Sequence, residues 1–149
     1  MQWKLKKYNE LTVDEFHNIL QLRINVFVVE QNCPYPELDG KDKIAHHFFA
    51  ITKEKPNQIL AYSRIFKPGD YYQEAAIGRV VVHPDFRKEK LGYKLILKSI
   101  KQIEKQFKTK EIKIGAQTYL KKFYESQGFK KVEKPYIEDG IPHIYMIRS

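Results

Sequence analysis

IGRVVVHPDFRKEKLGYKLILKSIKQIEKQF, residues 77–107, is the stretch that decides the fold. Its opening, 77–82, is a β-branched run stopped by Pro84, which reads as a buried strand and its end. From Leu91 onward, Ile96, Ile100, Ile103 and Phe107 recur at the spacing of one helix face. The connection between them carries Arg87, Lys88 and Lys90, and Gly92 falls in the first helical turn. A chain entering a helix there offers unpaired N–H groups and the positive end of the helix dipole. With basic side chains around it, such a place suits a phosphate or pyrophosphate. Basic residues between a strand and a helix are also common on cationic surfaces, so this stretch alone leaves both readings open.

The 149 residues, 42% hydrophobic with ten Tyr and nine Phe, predict one domain, 1–149, with a substantial aromatic core. No apolar run is long enough to span a bilayer, and no apolar segment follows the charged N-terminus as in a signal peptide. Cys33 is the single cysteine, which excludes an intrachain disulfide. These features together point to the cytoplasm. A net charge of +9 favours an anionic partner: nucleic acid, anionic lipid or a phosphorylated cofactor.

Working outward, 2–8 alternates as a first strand. T-V-D-E at 12–15 is a capping box that opens a helix over 13–28, with Leu11 and Phe16 as its staple. Residues 30–46, with two prolines and a glycine, read as a loop. Strands follow at 47–53, 59–66 and 75–83, then the helix 91–107 and a strand at 111–116. A helix at 118–127 ends on Gly128 as its C′ residue, and strands at 129–133 and 141–147 close the chain. The order β-α-β-β-β-α-β-α-β-β predicts an α/β (α+β) protein with a mixed central sheet of about seven strands flanked by helices.

This order, with a basic loop after the fourth strand, resembles the GNAT acetyltransferase family over almost the whole chain. The family's Q/R-x-x-G-x-G/A signature is matched by Arg87-Lys88-Glu89-Lys90-Leu91-Gly92, with Lys90 at the middle glycine. Gln117, Tyr124 and Gly128-Phe129 match the family's Asn, Tyr and Gly-Phe at its usual spacing. A closer resemblance, to the ElaA-like subgroup, rests on LRINVFVVEQNCPY at 22–35, DGKD at 39–42, GRVVV at 78–82 and EDGIPHI at 138–144. Arg23-x-x-Val26-Phe27 and Glu37-x-Asp39-x-x-Asp42 also resemble acyl-homoserine-lactone synthases, a lower-ranked alternative.

The resemblance implies transfer of an acetyl group from acetyl-CoA to a primary amine. It assigns pyrophosphate binding to Arg87, Lys88, Glu89, Lys90, Leu91, Gly92 and Tyr93, and pantetheine binding to the backbone of Val80, Val81 and Val82, with Gln117 beside them. If the middle glycine of the signature has φ > 0, a lysine there costs about 1–2 kcal/mol. Tyr124 becomes the general acid for the leaving thiolate. The base is open among Glu30, His46, His47, Glu138 and His143, because Gly78 stands where many relatives place a Glu. The acceptor side is expected at Arg23, Glu30, Asp39, Asp42, His46 and His143, with Arg23 and Arg64 orienting the acids or binding an acceptor carboxylate.

Glu37, Asp39, Asp42, His46 and His47 fit no EF-hand or zinc spacing, so no metal is expected. Lys94, Lys98, Lys101 and Lys105 share one helix face, which contacts phosphate backbones or is simply solvated. No nucleic-acid motif accompanies them, which ranks a nucleic-acid-binding or CoA-binding relic without turnover below the enzyme. No membrane partner is expected, and a homodimer, common in the family, stays open.

Overall fold

Side-chain alternation along the second strand sets the layering. In the computed structural model, which describes Met1–Ser149, β2 (His46–Ile51) sends Phe48 and Ala50 to one face of a sheet and Phe49 and Ile51 to the other. β1 (Gln2–Lys7) and β3 (Ala61–Phe66) flank it antiparallel. β3 keeps the same alternation, with Ala61 and Ile65 joining the cluster of Phe48 and Tyr62 that of Phe49. α1 (Val13–Ile24) covers the Phe49 face through Ile19 and Leu22. α2 (Leu91–Phe107) covers the Phe48 face through Leu95, Ile96, Ile100 and Ile103. The cluster under α2 holds 19 buried residues and that under α1 holds 8. At about 25 cal/mol per Å² of apolar surface removed from water, most hydrophobic stabilisation therefore lies on the α2 side.

The expected capping box starts α1: Thr12 Oγ1 accepts the Glu15 N–H at 3.0 Å, and the Glu15 carboxylate accepts the Thr12 N–H at 2.9 Å. Past Ile24 the chain does not simply continue as α-helix. It runs on through Asn25–Glu30 as a π-helical turn, a form that concentrates at functional sites. On α2, Lys94, Lys101 and Lys105 are exposed while Lys98 lies over the Trp3 ring at 5.6 Å, so this face is solvated and partly covers an aromatic. No helix is long and apolar enough to cross a membrane.

The sheet has eight strands in the order β1-β2-β3-β4-β5-β8-β6, with β7 paired to β8. Here β4 is Ala75–Val82, β5 Ile112–Gln117, β6 Lys130–Lys131, β7 Tyr136–Glu138 and β8 Ile141–Arg148. β7 is one strand more than the sequence reading gave. Asp139 and Gly140 take φ of 50° and 78°, the two-residue hairpin turn that an Asp-Gly pair favours. The strand expected at 129–133 shrinks to β6, and α3 (Lys121–Glu125) follows a 3₁₀ turn, Thr118–Leu120. Gly128, at φ 92°, ends that helical region as its spacing predicted.

Two features open the sheet. β4 and β5 run parallel and pair only at Ala75–Ile112 and Ala76–Lys113, after which they part. β4 also bulges, because Tyr62 faces Val81 while Arg64 faces Gly78, which leaves Arg79 and Val80 opposite Ser63. Arg79 takes φ 49° at this bulge. The extra residue reverses the alternation, so Ile77 packs with the α2 cluster and Val81 with the α1 cluster.

Candidate active site

The parted strands leave a cleft of about 770 Å³. Residues 77–82 of β4 and 114–117 of β5 wall it. Gly92 at the start of α2, Tyr124 of α3 and the β7–β8 hairpin close its ends. The cleft therefore depends on the bulge and the hairpin, the two features least visible in the sequence.

One end is suited to an anion. α2 begins directly after Lys90, which is left-handed at φ 54°, and no side chain caps the helix. A lysine in this conformation costs about 1–2 kcal/mol, the strain expected at the signature's glycine position. Gly92 lines the cleft, and a Cβ there would lie 3.7 Å from Val82 and 3.8 Å from Phe123, filling the space before the helix terminus. Val80, Val81, Val82 and Gln117 also line the cleft, and the Gln117 amide sits 3.4 Å from that of Gln31. The segment read as a loop is a 3₁₀ turn, Pro84–Glu89. Lys88, Glu89 and Tyr93 do not line the cleft, and the Leu91 side chain belongs to the core.

Arg87 does not stand free. It donates to both Glu30 oxygens at 2.6 and 2.9 Å and, through Nε, to the Val82 carbonyl at 3.2 Å. These hydrogen bonds lower the Glu30 pKa and raise that of Arg87. Both side chains are over 40% exposed, so the pair contributes little to stability and an incoming anion can displace Glu30. Glu30, expected on the acceptor side, thus lies at the anion end.

Tyr124 lines the cleft at 6% exposure, edge-on to Phe123 and Phe129, and its hydroxyl has no hydrogen-bond partner in the protein. Burial, with a smaller contribution from Tyr119, pushes its pKa above the ordinary phenol value, so it stays protonated. Across the cleft, His143 donates its Nδ1–H to the Ile141 carbonyl at 2.7 Å. Its Nε2 lies 3.8 Å from Glu138.

Three residues expected on the acceptor side lie elsewhere. Arg23 is wholly buried, donating through Nε to Glu37 at 2.6 Å and through Nη1 to Asp42 at 2.7 Å. Asp42, 4% exposed, also receives Arg64 at 3.1 Å, so neither residue faces the cleft. His46 is on the α2 face of the sheet, edge-on to Phe107. Asp39 does line the cleft. Burial alone would raise its pKa, but Arg64 at 2.8 and 2.9 Å, the Lys41 N–H and Arg79 hold it at about 2. The carboxylates of residues 37–42 thus face guanidinium groups. Arg79, which the sequence reading passed over, reaches Glu37 at 3.0 Å because the bulge turns it out of the alternation.

His47 braces this network. Its Nε2–H donates to the Asp42 carbonyl at 2.9 Å, so Nδ1 accepts from the Tyr62 hydroxyl at 2.7 Å and the ring is neutral. Burial lowers the pKa of His47 and also of His46, whose Nδ1 is buried without a partner. The folded state thus binds fewer protons than the unfolded chain. This stability is complete above the unfolded value near 6.5 and is lost as pH falls toward the lowered folded values. The melting temperature is expected to fall between pH 7.5 and 5, and less steeply in His46→Leu. A flat profile would show that neither ring must be neutral.

Comparison with known proteins agrees with this geometry. Residues 25–149 match the model of the acetyltransferase (GNAT) domain. The chain is 41% identical to protein ElaA of Escherichia coli over 149 residues, covering 100% of this chain and 97% of that protein. The crystal structure of E. coli ElaA superposes with a TM-score of 0.89 over 100% of both chains. That of an acyl-CoA N-acyltransferase from Pseudomonas aeruginosa, 38% identical, superposes with a TM-score of 0.93 over 99% of both. A family match over most of the length, and superpositions that span the parted strands, show that the chain belongs to the GNAT acetyltransferase family.

Proposed function

We propose that residues 1–149 act as one domain that transfers an acetyl group from acetyl-CoA directly to the primary amine of an acceptor. The observation that carries this reading is a cleft between parted parallel strands that ends at the uncapped N-terminus of a 17-residue helix. The acyl-CoA N-acyltransferase activity named for the similar P. aeruginosa protein supports it.

Acetyl-CoA supplies the activated acyl group as a thioester. The backbone N–H groups of Leu91, Gly92 and Tyr93 hold its pyrophosphate, Lys88 and Lys90 add charge, and Arg87 exchanges Glu30 for a phosphate oxygen. The backbone of Val80, Val81 and Val82, freed by the parting of β4 from β5, aligns the pantetheine arm and offers an N–H to the thioester oxygen as charge develops there. The neutral amine nitrogen bonds to the acetyl carbon as the carbon–sulfur bond breaks. One amine proton passes to His143 Nε2, beside Glu138, and the Tyr124 hydroxyl gives its proton to the departing sulfur; solvent returns a proton to Tyr124 and removes one from His143.

Calorimetric titration with acetyl-CoA, followed by thiol release with a panel of amines, tests the reading. Binding heat, a thermal shift and amine-dependent thiol release are expected. No heat and no shift at millimolar acetyl-CoA would overturn it, and binding without release to any amine would favour a binding-only protein.

A further inference from the structure

Beside the main cleft, at the bulge of β4, lies a second hollow of about 160 Å³. The two share Tyr71, Gly78, Arg79, Gly115 and Glu138 among their walls, so they communicate through the seam between β4 and β5. Gly78 keeps the hollow open. Its φ is not positive, so other residues could adopt this backbone, and a Cβ built there meets nothing within 4 Å.

Directly opposite Gly78 in the sheet is Arg64, 1% exposed. Its two Nη groups are taken by Asp39 and Asp42, but its Nε–H is buried with no acceptor. A buried donor left in this state costs free energy that an acceptor oxygen reaching it would recover. On the other wall, a Cβ at Gly115 would lie 2.6 Å from the Tyr136 hydroxyl and 3.3 Å from that of Tyr72, so two phenols meet over this glycine. The Lys113 ammonium sits 5.0 Å from the Tyr72 ring and 4.5 Å from that of Tyr145, and is paired with Glu133 at 3.4 Å. Arg79 is already committed to Glu37 and Asp39. The hollow is thus furnished with donors on both walls. On the wall of Tyr136 stands Glu138, 3.8 Å from Nε2 of His143, whose ring stacks on that of Tyr136 at 5.6 Å.

Donors from Arg64 and the two phenols, with a carboxylate and an imidazole nitrogen beside them, fit a small molecule that carries an anionic oxygen group and an amine a few bonds apart. We propose that the acceptor is an aminocarboxylate, a free amino acid or a zwitterion of similar size. Its carboxylate binds in the Gly78 hollow at Arg64, Tyr72 and Tyr136, and its amine lies toward Glu138 and His143. The inference rests on the acyl-transfer reading above.

The test is thiol release from acetyl-CoA with amino acids, the matching amino-acid amides and the matching amines that lack the carboxylate, each rate corrected for its neutral-amine fraction. The best amino acid is expected to exceed both partners in kcat/KM by at least about tenfold. Gly78→Val, which fills the hollow, and Tyr72→Phe, which removes one donor, should each raise the amino-acid KM severalfold or more, with melting temperature and acetyl-CoA affinity near those of the wild type. Equal rates for amines without the carboxylate, or an amino-acid KM unmoved in both variants, would overturn this inference and leave acyl transfer standing. A preference for the amides would overturn it in favour of a peptide acceptor. Acetyl-CoA binding without thiol release to any amine would overturn the acyl-transfer reading and this inference with it.

Discussion

Tyr124→Phe is expected to lower kcat by roughly 10²–10⁴ while leaving acetyl-CoA affinity close to wild type. The substitution deletes one oxygen. The ring keeps its place at 6% exposure between Phe123 and Phe129, so the packing of the core survives. The hydroxyl makes no hydrogen bond to the protein, so its loss leaves no buried group without a partner, and the melting temperature should not fall. What disappears is the proton donor proposed for the departing thiolate. The effect should therefore appear in kcat and in kcat/KM for the acceptor together, since the hydroxyl acts only as sulfur leaves. Steady-state kinetics with calorimetry of acetyl-CoA separates these quantities. Unchanged turnover would make Tyr124 a packing residue and move the proton source to solvent.

What could be read in the sequence was local. Thr12 and Glu15 cap each other within one turn, Pro84 stops β4 two residues past its end, and Gly128 sits where the chain must turn left-handed. Each of these is specified by residues next to one another. The resemblance at 87–92 likewise pointed to a helix N-terminus that is indeed uncapped. The bulge at Arg79 was not legible, because a bulge is a relation between two strands and GRVVV looks like an uninterrupted run. The acids at 37–42 were legible as a group, but not what they face. Their partners Arg23 and Arg64 lie 14 to 25 residues away, and only the folded sheet shows that three carboxylates meet three guanidinium groups. Glu30 and Arg87 are 57 residues apart, which is why a carboxylate assigned to the acceptor turned out to hold the anion end. The Asp139-Gly140 turn is different in kind: its signal was present, and placing no strand between 133 and 141 passed over a hairpin that carries His143 and Glu138 to the cleft.

Removing Arg23 is expected to cost about 3–5 kcal/mol, a large share of the roughly 5–15 kcal/mol that holds a typical domain together. The guanidinium is wholly buried and reaches Glu37 at 2.6 Å and Asp42 at 2.7 Å, both carboxylates being almost as buried. As built, the network is balanced, with Arg23, Arg64 and Arg79 against Glu37, Asp39 and Asp42. Arg23→Met keeps a long side chain in the space but strands one negative charge inside the protein, and Arg64 and Arg79 cannot take it up without leaving other partners. The expected fall in melting temperature is roughly 6–20 °C for a domain of this size. Neutralising one acid in the same background should recover part of the loss, so Arg23→Met with Glu37→Gln is expected to melt above Arg23→Met alone. The cofactor end rests on α2 and should keep its acetyl-CoA affinity wherever the variant is folded. The loop that brings Asp39 to the cleft is anchored through Glu37 and Asp42, so acceptor KM should suffer before acetyl-CoA Kd does. Thermal melts of both variants, with separate titrations of the two substrates below the transition, decide the matter. A melting temperature within 2 °C of wild type for Arg23→Met would show that the buried pairs only balance the cost of burying them, and that the loop is held by something else.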